Sequence, residues 1–410
     1  MYINRAMEET VLDIQSSFPV LLITGPRQVG KTTMLQKLSS SDRQYVTLDD
    51  PLLRQLAVTD PALFLQRFEP PVIIDEIQYA PGLLPYIKMY VDKNRHNGDF
   101  WLTGSQMFHL MKKAAESLAG RVGIMNLLAL SNAEIQGRRS EAFTTKSSEI
   151  MARRKTAKHQ KLNEVYARIF KGGMPALYAN DVNGSNPVST DIFFSSYVQT
   201  YLQRDVKDLT QVGDELAFVR FLSCAAARTG QIVNYAEMAK DTGISPPTAK
   251  QWLSILVSSG IIALVEPYFN NALKRIIKSP KMYFLDTGLC AYLTKWTTPQ
   301  ALEAGAMSGA YFETWVVSEI IKSFYNAGKR PPIYYYRDKD KREIDLIIYE
   351  NNTLCPVEIK KSSNPGRDAV KQFAVLEKTG LEVGEGSVVC LTDDVLPVDS
   401  RNWYVPAWLI

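Results

Sequence analysis

Gly25-Pro26-Arg27-Gln28-Val29-Gly30-Lys31-Thr32-Thr33 places four free positions between two glycines and follows them with a lysine and two hydroxyls. The apolar run Pro19-Val20-Leu21-Leu22-Ile23-Thr24 leads in, and helix-compatible residues lead out. That spacing matches a phosphate-binding loop. Glycines at both ends let the backbone wrap a polyphosphate, the amides of Gln28, Val29, Gly30 and Lys31 point inward, and the next helix presents its positive end. Lys31 would reach the β and γ phosphates of ATP, and the Thr32 hydroxyl would ligate Mg²⁺. A tight strand-to-helix turn without a ligand is the plain alternative.

Catalytic partners are sought at the ends of later apolar runs. Pro71-Val72-Ile73-Ile74 ends in Asp75-Glu76, as a buried parallel strand delivering carboxylates to its C-terminal edge would. Asp75 would hold the metal through water, and Glu76 would polarise the attacking water as general base. Otherwise Asp75 caps a helix and Glu76 is solvated. Phe100-Trp101-Leu102-Thr103 runs into Gly104-Ser105-Gln106, so Thr103 or Ser105 is placed to sense the γ-phosphate, unless these residues only turn the chain. Arg121 ends the stretch Glu116 to Gly120. It reads equally as an arginine finger given to a neighbouring subunit, which implies a homo-oligomer, or as a cation at a helix C-terminus.

A second constellation lies near the other end. Tyr311-Phe312-Glu313 opens an amphipathic helix, and Ile333 to Arg337, Glu343 to Ile348 and Cys355 to Lys360 read as three strands. Glu358 and Lys360 are two apart and share a face, with Asp345 entering from the neighbouring strand. This D…E-x-K arrangement resembles the restriction-endonuclease-like core. The resemblance implies that Asp345 and Glu358 hold Mg²⁺, that Lys360 orients water or steadies the phosphate, and that Glu313 completes the shell. A solvent-exposed charged strand pair is the bland reading, and a degenerate core would bind DNA or another partner without cutting.

Taken together, Gly25 to Thr32, Ile74-Asp75-Glu76-Ile77-Gln78, Leu102-Thr103-Gly104-Ser105 and Leu118-Ala119-Gly120-Arg121 resemble a widespread prokaryotic group of AAA-type ATPases. That group joins the ATPase to a C-terminal domain of unknown function. The likeness extends through Gly172-Gly173-Met174-Pro175 and Tyr201-Leu202-Gln203-Arg204-Asp205-Val206, covering nearly the whole chain. It implies the AAA fold, ATP binding and Mg²⁺ dependence.

The elements that must position these residues divide the 410-residue chain in three. Residues 1–137 read as a P-loop AAA-type parallel-sheet domain with a helix from Met7 to Ser16 and a further strand from Gln44 to Asp49. Residues 138–300 read as a helical lid carrying a winged helix over about 231–287, and 305–410 as a restriction-endonuclease-like α/β domain. Within the lid, the polar run from Arg138 to Lys161 reads as a solvated helix or loop, or less readily as a nucleic-acid contact. The aromatics Phe193, Phe194, Tyr197 and Tyr201 read as a core-facing stripe. The second helix of the winged helix offers Lys250 as its one cation, a poor surface for reading base edges, and Lys274, Arg275 and Lys278 form a basic turn.

Apolar residues make up 46% and charged residues 22%, a globular composition. The 47 basic and 43 acidic residues give a net charge of +4, which neither demands nor excludes a nucleic-acid partner. Four scattered cysteines and three histidines indicate neither a disulfide framework nor a zinc site. No signal peptide or membrane-spanning run is read, so the expected location is cytoplasmic. The expectation is a Mg²⁺-dependent ATPase that couples its nucleotide state to a nuclease-like, nucleic-acid-directed module. The alternatives are a nucleotide-gated switch that recruits a partner, or an ATP-regulated metal-dependent nuclease.

Overall fold

Five short segments become parallel strands, with both faces of the three inner ones covered. They are β1 (Val20–Thr24), β2 (Gln44–Thr47), β3 (Val72–Asp75), β4 (Phe100–Gly104) and β5 (Val122–Asn126), in the order β2-β3-β4-β1-β5. Every residue of β1, β3 and β4 is buried. Placing β4 between β1 and β3 sets the carboxylate end of β3 two strands away from the phosphate loop. The computed structural model describes residues 2–105, 116–179, 189–201, 214–268 and 279–410. Gln106, Leu202-Gln203-Arg204-Asp205-Val206 and the basic residues Lys274, Arg275 and Lys278 lie outside them.

Strand alternation sends Val20 and Leu22 to one side of the sheet and Leu21 and Ile23 to the other. On the first side they meet Val72, Ile74, Phe100 and the helix Leu83–Asn94, closing a core that belongs to the N-terminal section alone. On the second side they enter a continuous core that runs from Met7 to Ile410. The sheet face carrying Leu21, Ile23 and Trp101 meets the helices Glu8–Ser17 and Lys31–Leu38, and through them belongs to the core that later parts of the chain share.

In the middle section, Asn234 caps the helix Tyr235–Thr242, Gly243 stops it in the left-handed region (φ 71°), and Ser245 caps the helix Pro246–Ser258 with proline at its first position. A small antiparallel sheet follows in the order β6 (Gln231–Ile232), β8 (Lys281–Phe284), β7 (Ile262–Val265). Phe194 and Tyr197 on the helix Thr190–Tyr201 are buried, so that part of the aromatic stripe faces the core.

The polar run after Arg138 is largely exposed, as a solvated helix would be, but two of its cations are engaged within the chain. It forms the helix Ser147–Thr156, where Arg153 Nη2 donates to the Ala142 carbonyl (2.6 Å) and Arg154 Nε donates to Asp394 (3.0 Å) while lying over the Trp408 ring. Arg154 is drawn to the C-terminal section because that section presents a carboxylate and an aromatic face to it.

The C-terminal section starts with the helix Ser308–Asn326 and continues into a mixed sheet ordered β14-β15-β13-β11-β10-β9. Its strands are β9 (Ile333–Arg337), β10 (Glu343–Glu350), β11 (Thr353–Lys360), β13 (Gly386–Cys390), β14 (Leu396–Pro397) and β15 (Asn402–Pro406), with β12 (Glu382–Val383) beside β11. The four cysteines are free, and among the described residues no helix is long and apolar enough to cross a membrane.

Candidate phosphate site and acidic cluster

β1 delivers the phosphate loop against the backbone that follows β5. Gly25 has φ 148°, and a Cβ there would stand 2.0 Å from the Leu127 carbonyl oxygen, so the close approach requires glycine. Gln28 (φ 61°) and Gly30 (φ 91°) turn the loop, and the helix Lys31–Leu38 starts directly after it. Arg5 holds the loop from behind. Its buried guanidinium donates to the carbonyls of Val29 and Leu128 (both 2.7 Å) and to Glu134 (2.9 Å). Burial alone would raise the Glu134 carboxyl, but Arg5 with the Ser131 and Ala6 amides outweighs it and holds the group below the usual carboxylate range.

The expected metal-binding oxygens meet at the front of the sheet. Thr32 Oγ1 donates to Asp75 Oδ1 (2.8 Å), and Tyr45 Oη donates to Asp75 Oδ2 (3.0 Å). Between them, on β4, Thr103 Oγ1 donates to Asp75 and accepts the amide of Glu76 (3.2 Å). Burial first, and the Asp75 carboxylate second, push the Tyr45 hydroxyl up to about 12, so it remains a donor at neutral pH. A hydroxyl and a carboxylate this close form a hard oxygen pair suited to a small divalent ion that keeps most of its water.

Lys31 is buried, with its ammonium on the carbonyls of Gly25 (3.0 Å) and Pro26 (2.8 Å). Glu76 closes β3 in the left-handed region (φ 58°, ψ 45°), an uncommon conformation for a side-chain-bearing residue that turns it out of the strand. The Gln78 amide donates both to the Glu76 carboxylate and to Ser105 Oγ (3.2 Å). Lys31, Thr32, Asp75, Glu76 and Ser105 thus share one edge of the sheet. Arg121 does not. It precedes β5 at the opposite edge, where its guanidinium binds Asp92 and the Ala119 carbonyl. Beside the loop a cavity of about 300 Å³ is lined by Tyr2, Ile3, Gly30, Thr33 and Pro175.

The second constellation also assembles, around a residue the sequence did not single out. Lys360 donates to Glu358 Oε1, and Asp345 Oδ2 accepts the Ile359 amide (2.8 Å). Tyr283 donates to Glu313 (2.7 Å). Lys281 on β8 enters among the carboxylates, paired with Glu343, 3.4 Å from Glu313 and 4.0 Å from Asp345. Burial opposes the Lys281 charge, but Glu313, Asp345 and Glu343 together outweigh it and hold the ammonium above the usual lysine range. Burial, followed by Glu313 and Glu358, raises the Asp345 carboxyl well above its ordinary value. Glu358 is raised as well, by burial, with Lys360 opposing. Among the described residues, no group of three or more His, Cys, Asp or Glu side chains is arranged to hold a metal ion. The expected Mg²⁺ shell of Asp345, Glu358 and Glu313 is not in that arrangement; an ammonium from the middle section stands among these carboxylates.

A family model described as an AAA domain matches residues 17–136. The N-terminal third is thus similar to an AAA domain. Models described as Domain of unknown function (DUF8612) and Domain of unknown function (DUF4143) match residues 162–300 and 308–410. Two uncharacterized proteins, from Mycobacterium tuberculosis and Mycobacterium bovis, are each 26% identical over 389 residues, covering 95% of this chain and 80% of theirs. Among solved structures, a Walker-type ATPase of Pyrococcus abyssi aligns at 14% identity and a TM-score of 0.43, over 71% of this chain and 96% of its own. AMPPCP-bound DnaA from Aquifex aeolicus aligns at 12% identity and a TM-score of 0.28, over 61% and 85%.

Four residues of these sites escaped sequence reading. Arg5 and Tyr45 are single polar residues with no motif around them, and Gln78 is an ordinary amide two residues beyond Glu76. Lys281 opens an ordinary strand, and only the folded chain brings it to Asp345.

Proposed function

We propose that this chain binds ATP with Mg²⁺ at the edge formed by the phosphate loop, β3 and β4, and hydrolyses it. The observation that carries this reading is the Thr32 to Asp75 contact, which joins the loop hydroxyl and the strand carboxylate at 2.8 Å across β4. The loop amides of Gln28 to Lys31 receive the phosphates, and Lys31 moves from the carbonyls of Gly25 and Pro26 to the β and γ oxygens. Mg²⁺ held by Thr32 and Asp75 supplies charge neutralisation at the phosphates. Glu76, released by Gln78, accepts the proton of the attacking water, and Ser105 lies within the same hydrogen-bonded group. The cavity of Tyr2, Ile3, Thr33 and Pro175 takes the base and ribose, so ATP touches both the AAA domain and the middle section.

The joint at Gly172-Gly173 supports coupling beyond the AAA domain. The Leu130 amide donates to the Gly173 carbonyl (2.8 Å), and the Gly173 amide donates to Asp286 (2.8 Å), just after β8. A Cβ on Gly172, whose φ is 74°, would lie 2.3 Å from Asp286 Oδ1, so this joint transmits displacement with little slack. The order of the helix Glu215–Ala226, β6, two further helices and β7–β8 supports a winged-helix reading. The succession of helix, β9–β11 hairpins and parallel β13 supports a restriction-endonuclease-like one. A nucleic acid is the partner class these two shapes suit by analogy.

Lys31→Ala is expected to abolish ATP turnover while leaving the circular dichroism spectrum and cooperative melting unchanged. Full activity in that variant would overturn the assignment. The Gln78 bond to Glu76 favours a second reading, a switch that binds ATP and turns over little. Glu76→Gln separates the two: in the enzyme it traps bound ATP, and in the switch it changes almost nothing. Measuring ATPase activity with single-stranded and duplex DNA, while following the DNA for cleavage, tests the partner.

A further inference from the structure

We propose that Lys281 is the resident cation of the C-terminal acidic cluster, delivered by the middle section, so that the cluster serves as an ionic latch between the two sections and accepts no divalent ion while the latch is closed. Lys281 is 4% exposed, and its ammonium faces Glu313, Glu343 and Asp345. Arg337 and Lys360 stand further out, the first 3.6 Å from Glu343 and the second on Glu358. Glu358 is itself 7% exposed, and its second carboxylate oxygen is buried without a hydrogen-bond partner, so the cluster holds more acceptor capacity than its protein donors satisfy.

The strand that brings Lys281 is fastened along the same sheet. The Tyr335 amide donates to the Glu266 carbonyl (3.0 Å), the Tyr268 amide donates to the Tyr335 carbonyl (2.7 Å), and Tyr335 Oη donates to the Ser279 carbonyl (2.6 Å). These bonds flank the β7–β8 pair on β9 and hold β8 against Asp345. An ammonium and a small divalent ion compete for the same inward-facing oxygens. With Lys281 in place the negative charge is largely met, and a metal would have to enter beside a buried cation. None of the latch residues belongs to the phosphate site, so the latch is testable without nucleotide.

The test is thermal melting of the full chain without nucleotide, with and without 5 mM Mn²⁺, for wild type, Lys281→Arg, Lys281→Met and Lys281→Met/Asp345→Asn. Wild type and Lys281→Arg are expected to show the same Tm with and without Mn²⁺. Lys281→Met is expected to melt roughly 3–6 °C lower, since it leaves buried carboxylates unpaired, and to regain most of that loss in Mn²⁺. Adding Asp345→Asn is expected to remove the Mn²⁺ response. If Lys281→Met does not fold, Lys281→Met/Glu343→Gln, which removes one of the uncompensated carboxylates, takes its place in the same comparison. A wild-type Tm that rises with Mn²⁺ as much as the variant's, a Lys281→Met Tm equal to wild type, or a variant that ignores Mn²⁺ would each overturn the proposal.

Discussion

Arg5 shows how a single side chain far from any motif conditions the phosphate loop. Its guanidinium meets two carbonyls and one carboxylate in a buried setting, so its removal strands Glu134 as an uncompensated charge. Arg5→Ala is therefore expected to cost about 3–5 kcal/mol in urea unfolding and to weaken ATP binding along with it. The same pair sets an acid dependence. Because the folded Glu134 carboxyl lies below its unfolded value, its contribution is complete above the unfolded value of about 4.3 and is lost as pH falls through the folded one. Wild type should consequently lose stability on acidification more steeply than Glu134→Gln, measured as urea midpoints from pH 6 down to pH 3; equal slopes would remove Glu134 from the account.

The ends of β2, β3 and β4 work as one element, because parallel register brings Thr47 opposite Asp75 and Ile74 opposite Leu102. The side chain after Leu102, Thr103, then lies beside Asp75 and fixes both the carboxylate and the Glu76 amide, whereas Tyr45 reaches only one carboxylate oxygen. One net hydrogen bond is worth about 1 kcal/mol. Tyr45→Phe is expected to raise the Mg²⁺ concentration needed for half-maximal ATPase activity by about fivefold with little change in kcat. Thr103→Val, which loosens two groups, should lower kcat by roughly tenfold or more. Identical Mg²⁺ titrations for the two variants would contradict this division of labour.

The three sections share one core, and this decides how the molecule can be cut. Leu21, Ile23 and Trp101 of the AAA domain pack in the same cluster as Trp315 and Ile320 on the helix Ser308–Asn326. Glu319 on that helix accepts the Asn132 amide (2.6 Å), and Lys322 donates to Glu319 (2.8 Å) and to the Leu130 carbonyl (3.3 Å). A fragment of residues 1–137 would lose the cover over Leu127 to Leu130, which are buried in that shared core, so it is expected to bind the dye ANS and to melt less cooperatively than the full chain. Cooperative melting of a soluble monomeric fragment would show that the shared core is dispensable.

The phosphate loop, the carboxylate pair at the end of β3 and the three short C-terminal strands were legible in the order of residues. Each rests on local rules: glycine where backbone must turn, apolar runs where a strand is buried, period two where strand faces alternate. Tertiary structure alone decided that Arg5 braces the loop, that Arg154 meets Asp394 and Trp408, that Arg121 stands at the far edge of the sheet, and that Lys281 occupies the acidic cluster. These are contacts between residues distant in the chain, and no periodicity encodes which distant carboxylate a lysine or arginine will meet. That choice is made only when apolar faces pack and bring the charges within reach.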